Sequence, residues 1–92
     1  MSTKKIKLSN QNGRVAIVDG VRTPFARIAT HYGDLSAIDL GSVVVKELIK
    51  RNDLKPTQID QLVFGMTVMI PEAPFIAREI ALVCGLDDVD AY

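Results

Sequence analysis

The stretch SAIDLGSVVVKELIKRND, from Ser36 to Asp53, decides the fold because it predicts a long helix between two strand-forming segments. Ser36 with Asp39 three positions later has the pattern of a capping box, and Glu47 can form an ion pair with Arg51 one turn further on. Apolar residues recur at the spacing of one helix face, at Leu40, Val44 and Leu48. The length, the cap and the charge pair together favour a helix over a strand.

Two apolar segments flank this helix. Val15–Val18 are four consecutive apolar residues, which is typical of a central strand covered on both faces. On the other side, Pro56 opens a short helical turn, and QLVFGMTVMI from Gln61 to Ile70 predicts a second covered strand, with Gly65 allowing close backbone approach. A strand, a crossover helix and a second strand would form a βαβ unit.

A second helix is predicted in PEAPFIAREIALVCG, beginning near Pro74 and ending at Gly85. Its inner stripe is predicted to hold Ile76, Ile80 and Val83, with Ala77, Ala81 and Cys84 beside it. The following LDDVDAY leads toward a third strand, which a βαβα series needs to cover the last helix. The predicted fold class is therefore α/β, a partial βαβα arrangement of layered sheet and helices that is truncated before the third strand.

Composition is that of an ordinary folded chain, with 92 residues, 48% of them hydrophobic, and zero formal net charge. Residues 1–13 are polar and basic and are predicted to form a flexible arm, which leaves 14–92 as the domain. The basic cluster lacks interleaved aromatic residues, so no nucleic-acid partner is expected. The longest apolar run is too short to span a membrane. A single cysteine allows no internal disulfide and no zinc site, which indicates the cytoplasm.

Cys84 and His31 are the residues that deserve comparison with catalytic groups. A nucleophilic cysteine needs a lowered pKa, whereas Cys84 is predicted at a helix C-terminus and precedes three aspartates, both of which raise the pKa. We therefore expect a small side chain packed on the helix. His31 has no evident partner in its loop. The sequence predicts no catalytic, cofactor-binding or metal-binding residue.

Two further groups have structural interpretations. Arg22, Pro24 and Phe25 are predicted to form a structural loop, in which Arg22 bonds to carbonyl groups above the packed Pro24 and Phe25. The single Gly20 before this loop is too little for a nucleotide cradle. In the second helix, Arg78 either takes part in surface pairing or bridges to a neighbouring loop or subunit.

Four segments in order, RVAIVDGVRTPFAR, AIDLG, IDQLVFGMTVM and PEAPFIAREIAL, resemble the amino-terminal part of thiolases, above all those of bacterial fatty-acid-oxidation complexes. The resemblance runs from Arg14 to Tyr92. It implies an incomplete thiolase N-terminal domain. It also implies acyl transfer with a coenzyme A thioester as substrate: thiolytic cleavage of a 3-ketoacyl-CoA to acetyl-CoA and a shortened acyl-CoA. No metal and no covalently bound cofactor are implied.

In thiolases a cysteine takes the acyl group, a histidine activates it and a second cysteine handles the α proton. The resemblance places all three outside the matched stretch, the nucleophile just after the strand that DAY would begin. The 92 residues are therefore expected to be inactive alone. The resemblance also implies a homodimer. It further implies that this homodimer joins a hydratase/dehydrogenase subunit in a fatty-acid-oxidation complex. Phe75, Ala77 and Arg78 are candidate interface residues, although Phe75 replaces the asparagine usual in thiolases.

Two alternatives remain. The chain could be a small α/β module that binds a partner or itself and performs no chemistry, because a βαβα unit leaves strand edges and a helix face uncovered. Within the thiolase family, a biosynthetic acetoacetyl-CoA thiolase is the alternative to a degradative one.

Overall fold

The computed structural model describes residues 13–92, in which two helices pack beside a short parallel sheet. Helix α1 spans Ala37–Arg51 and helix α2 spans Ile76–Val83. A 3-10 turn, Pro56–Gln58, precedes strand β1 at Gln61–Leu62, and strand β2 is Asp90–Ala91. Of the predicted arm, all but Gly13 lies outside the described residues.

Helix α1 begins as the sequence predicts. The hydroxyl of Ser36 accepts a hydrogen bond from the Asp39 amide, at 3.0 Å, and the Asp39 carboxylate accepts one from the Ser36 amide, at 2.9 Å. The capping box is complete and satisfies two amides that the helix cannot pair. At the other end Arg51 Nε donates to Glu47 Oε2 at 2.8 Å, so the predicted ion pair is also confirmed.

Helix α2 ends in a Schellman motif, which turns the chain back toward the sheet. Gly85 has φ +76°, a left-handed conformation that favours glycine. The amide of Leu86 donates to Ala81 O at 2.8 Å, and that of Gly85 to Leu82 O at 3.3 Å. Leu86 is then completely buried. The predicted end at Gly85 is confirmed, whereas the helix starts at Ile76 rather than near Pro74.

The two strands are parallel, with Gln61 opposite Asp90 and Leu62 opposite Ala91. Backbone pairing continues one step further, since the Phe64 amide donates to Tyr92 O at 2.9 Å. Because α2 lies between β1 and β2 in the chain, the βαβ unit of the described residues is β1, α2 and β2.

The predicted central strand at Val15–Val18 is wrong for this structure. The segment has no regular secondary structure, and Ile17 is 94% exposed. A strand forms only where a neighbour accepts and donates its backbone hydrogen bonds, and the sheet of the described residues consists of β1 and β2. A side-chain hydrogen bond joins the residue after this segment to the C-cap of α1. Asn52 Nδ2 donates to Asp19 Oδ2 at 3.0 Å, and this bond holds the pKa of Asp19 below its ordinary value.

The predicted strand from Gln61 to Ile70 is likewise shorter, and it is covered on one face rather than two. Leu62, Phe64 and Met66 pack against the core, while Val63 and Gly65 between them are exposed. This alternation is the pattern of a segment with one buried face. The structure thus pairs only the first residues of the stretch.

The core lies between α1, α2 and the turn that follows α2. Ile80 and Leu86 are its largest fully buried side chains, joined by Ala73, Ala81 and Val45. Val83, predicted on the buried stripe of α2, is 51% exposed and faces away from this core. Helices α1 and α2 meet at Gly41, where a Cβ would lie 2.4 Å from Ile80 Cδ1 and 3.2 Å from the Phe64 ring. Glycine therefore permits the close approach of the helices.

Candidate functional site

A groove of about 390 Å³ lies where both parallel strands end. One wall is the segment after β1, with Phe64, Met66 and Met69, and the other is the start of α2; Ala91 and Tyr92 form the floor. The carboxyl ends of parallel strands are where open α/β sheets usually place their sites. A larger hollow of about 630 Å³ lies at the opposite, amino ends of the strands.

The three candidate interface residues meet at this groove, but their exposures differ. Phe75 is the N-cap residue of α2 and is 79% exposed, without a side-chain capping bond. Ala77 is buried against the core at 4%, and Arg78 is half-buried. Phe75 therefore presents an apolar ring to the surface, whereas Ala77 lets α2 pack closely.

Arg78 bridges to the loop that leads into β2, one of the alternatives open from the sequence. Its Nη2 donates to Val89 O at 3.1 Å and its Nη1 to Asp87 O at 3.3 Å. A guanidinium holds its donors in a rigid plane, so these two bonds fix two carbonyl groups of one turn together. The side chain thereby links the first turn of α2 to the residues before β2.

Cys84 lies away from the groove, at the C-cap of α2. Its Sγ is 3.8 Å from Ser42 O of α1, a weak sulfur hydrogen bond. Burial raises the pKa of the Cys84 thiol, against an opposing effect of the nearby Lys46 charge. The direction agrees with the sequence prediction, but the cause is burial rather than the three aspartates. His31 is exposed in the turn before α1 and makes no hydrogen bond to Cys84 within residues 13–92.

The loop of Arg22, Pro24 and Phe25 is ordered by local contacts. The Arg22 guanidinium carbon lies 4.5 Å from the centre of the Phe25 ring, and Nη1 donates to Thr23 O at 3.2 Å. The Tyr32 hydroxyl donates to the Pro24 carbonyl. The Phe25 ring is 89% exposed, so it lies against Arg22 rather than in the core.

Sequence reasoning missed the apolar wall of the groove. Met66, Met69 and Tyr92 line it, although the segment after β1 was predicted to be a covered strand. Their position along the chain was the signal that could have identified them. Met66 and Tyr92 both follow parallel strands, and residues at the carboxyl ends of such strands commonly line a site. Across residues 13–92 no cluster of His, Cys, Asp and Glu is arranged to hold a metal ion, and none of the helices described there is long and apolar enough to cross a membrane.

Comparison with known proteins gives matches along almost the whole chain. The family profile described as "Thiolase, N-terminal domain" matches residues 15–92. The 3-ketoacyl-CoA thiolase of Photorhabdus laumondii is 55% identical over 93 aligned residues, covering 100% of this chain and 21% of that protein. The 3-ketoacyl-CoA thiolase of Yersinia enterocolitica is 54% identical, covering 92% of this chain and 20% of that protein. The 3-ketoacyl-CoA thiolase of Shewanella sediminis is 48% identical, covering 100% of this chain and 21% of that protein.

No solved structure matches the chain. The chain spans about a fifth of the length of the curated relatives it matches. Both the family profile and relatives well above 30% identity cover nearly all of its residues. The chain belongs to the thiolase family, in the region of its N-terminal domain.

Proposed function

We propose that this chain acts as the N-terminal portion of a 3-ketoacyl-CoA thiolase, an acetyl-CoA acyltransferase of fatty-acid β-oxidation. The reaction cleaves a 3-ketoacyl-CoA with coenzyme A to give acetyl-CoA and an acyl-CoA shortened by two carbons. The observation that carries the proposal is the 55% identity to the Photorhabdus thiolase along the entire chain. The relatives are named 3-ketoacyl-CoA thiolases, which favours the degradative reaction over the biosynthetic one.

In this proposal the chain supplies structure and leaves the chemistry to residues outside it. Cys84, half-buried against α1 with a raised pKa, is not the acyl acceptor, because a thiolate is the reactive form. The nucleophile follows the strand that Asp90–Ala91 begins. Because the groove lies at the carboxyl end of β2, the nucleophile is placed beside the groove. The substrate is a coenzyme A thioester, no metal or covalently bound cofactor takes part, and the enzyme works in the cytoplasm.

The groove is the proposed contact surface of a homodimer. An apolar ring at Phe75, 79% exposed beside Met69, which is 70% exposed, suits burial by a second copy of the chain. The proposal extends to assembly with a hydratase/dehydrogenase subunit in a fatty-acid-oxidation complex.

The test is a chimera in which this chain replaces the matching first fifth of the Photorhabdus thiolase. We expect the chimera to cleave acetoacetyl-CoA in the presence of coenzyme A at a rate within about tenfold of that enzyme, a loss of about 1.4 kcal/mol of transition-state stabilisation at most. A folded chimera without coenzyme A-dependent cleavage would refute the proposal.

A second candidate is a self-associating module without chemistry, and the exposed segment Val15–Val18 favours it. Val15, Ile17 and Val18 are 60%, 94% and 80% exposed, although they are strong strand formers. Such a segment can pair with the sheet edge of another copy. A strict monomer by light scattering at high concentration would contradict this candidate.

A further inference from the structure

The turn between α2 and β2 is held at two places. On one side the Schellman motif fixes Gly85 and Leu86 to the last turn of α2. On the other side Arg78, in the first turn of α2, holds the carbonyl groups of Asp87 and Val89. Between these two attachments the chain is led from the far end of α2 back to the start of β2.

Strand β2 has little pairing of its own to set its direction. It has two residues, in register with Gln61 and Leu62, and the pairing is extended by the bonds between Phe64 and Tyr92 and between Tyr92 and Leu62, each 2.9 Å. So short a strand depends on what precedes it. The residue before it, Val89, is 3% exposed, and its carbonyl is one of the two that Arg78 holds.

We propose that Arg78 is a positioning residue, which fixes the turn 87–89 and through it the direction in which β2 leaves the sheet at Tyr92. Lysine does not replace it, because an ammonium group lacks the planar fork that holds two carbonyl groups at a set spacing. The consequence for catalysis rests on the proposed function, in which the nucleophile follows β2. A misdirected strand then places the nucleophile wrongly and lowers kcat, while substrate binding elsewhere is retained.

The first experiment is independent of the proposed function. Amide hydrogen exchange is measured by NMR in the full chain and in Arg78→Lys, with Arg27→Lys as the matched control at an exposed arginine outside the turn. The reporter is the Phe64 amide, which donates to Tyr92 O, and the internal reference is the Leu86 amide, which donates to Ala81 O. We expect Arg78→Lys to raise exchange at Phe64 about tenfold and to leave Leu86 within about twofold, since hydrogen bonds from charged groups have effects of this size. Unchanged exchange at Phe64, or an equal rise at both amides, overturns the proposal.

The second experiment uses the chimera with the Photorhabdus thiolase. We expect Arg78→Lys to lower kcat about tenfold with KM within about twofold and Arg27→Lys to change neither. A rise in KM alone overturns the catalytic consequence. An inactive chimera with Arg78 intact contradicts the proposed function instead, and the exchange measurement then decides the role of Arg78 by itself.

Discussion

Two serines of one helix have opposite environments. The hydroxyl of Ser36 caps α1, whereas that of Ser42 is buried and finds no hydrogen-bond partner among the described residues. A buried hydroxyl without a partner destabilises the folded state, and alanine is also the better helix former. The same substitution is therefore expected to have opposite effects at the two positions.

We expect Ser42→Ala to raise the free energy of unfolding by about 1 kcal/mol and Ser36→Ala to lower it by about 1 kcal/mol. Urea unfolding followed by circular dichroism measures both. Ser36→Asp, which retains a capping oxygen, is the control for the second change. Destabilisation by Ser42→Ala similar to that by Ser36→Ala would show that the Ser42 hydroxyl is paired.

Cys84 gives a prediction for pH. Burial raises the pKa of its thiol in the folded chain, so a smaller fraction is thiolate than in the unfolded chain at the same alkaline pH. Alkylation by iodoacetamide should be slower in the folded chain than in urea, with its pH midpoint shifted upward. The Cys84 thiol makes its full contribution to the free energy of unfolding at pH values below its pKa in the unfolded chain. This contribution is lost as the pH rises through the pKa of the thiol in the folded chain. A folded midpoint below the unfolded one would contradict this account of Cys84.

At the scale of elements, the contact between α1 and α2 depends on a glycine. A Cβ at Gly41 would meet Ile80 Cδ1 at 2.4 Å, and Ile80 is completely enclosed, so its side chain cannot move away freely. Gly41→Ala gains about 1 kcal/mol of helix propensity but overpacks the core by about 1 to 3 kcal/mol.

The expected net result for Gly41→Ala is a loss of about 1 kcal/mol in the free energy of unfolding, measured by urea titration. Gly65→Ala is the matched control, since nothing lies within 4 Å of a Cβ placed there and its φ is not in the left-handed region. If Gly41→Ala is more stable than the parent chain, the helices are not as close as described.

The elements that the sequence predicted correctly are those with local causes. The capping box of Ser36 and Asp39, the turn at Pro56 and the end of α2 at Gly85 each depend on residues within a few positions of one another. The strand predicted at Val15–Val18 does not form, because a strand needs a neighbouring strand for its backbone hydrogen bonds and apolar composition does not supply one. For Arg78 the sequence predicted a bridge to a neighbouring loop or subunit as one alternative, but not the carbonyl groups of Asp87 and Val89 as acceptors. The turn that brings these carbonyl groups near Arg78 depends on tertiary packing.

At the scale of the whole molecule, large apolar side chains remain at the surface, most of all at Ile17, Phe25, Ile28, Val18 and Phe75. Exposed apolar area of this kind marks surfaces that other chain segments or subunits cover. The family assignment rests on residues 15–92, and it makes the uncovered groove the first surface to examine in a thiolase assembly.

Phe75→Asp is expected to weaken dimerisation of the chimera at least tenfold, because it puts a charge where an apolar ring would be buried. Phe25→Asp is the matched control, at a phenylalanine on the loop before α1 that is even more exposed than Phe75. Sedimentation equilibrium gives both dissociation constants. If Phe25→Asp weakens the dimer and Phe75→Asp does not, the groove is not the contact surface.

The most direct test of the central claim, that this chain provides thiolase structure without the nucleophile, is the rate of acetoacetyl-CoA thiolysis measured side by side for the chain alone and for the chimera. We predict no rate above buffer for the chain and coenzyme A-dependent cleavage by the chimera. Thiolysis by the chain alone, abolished by Cys84→Ala, would contradict the claim.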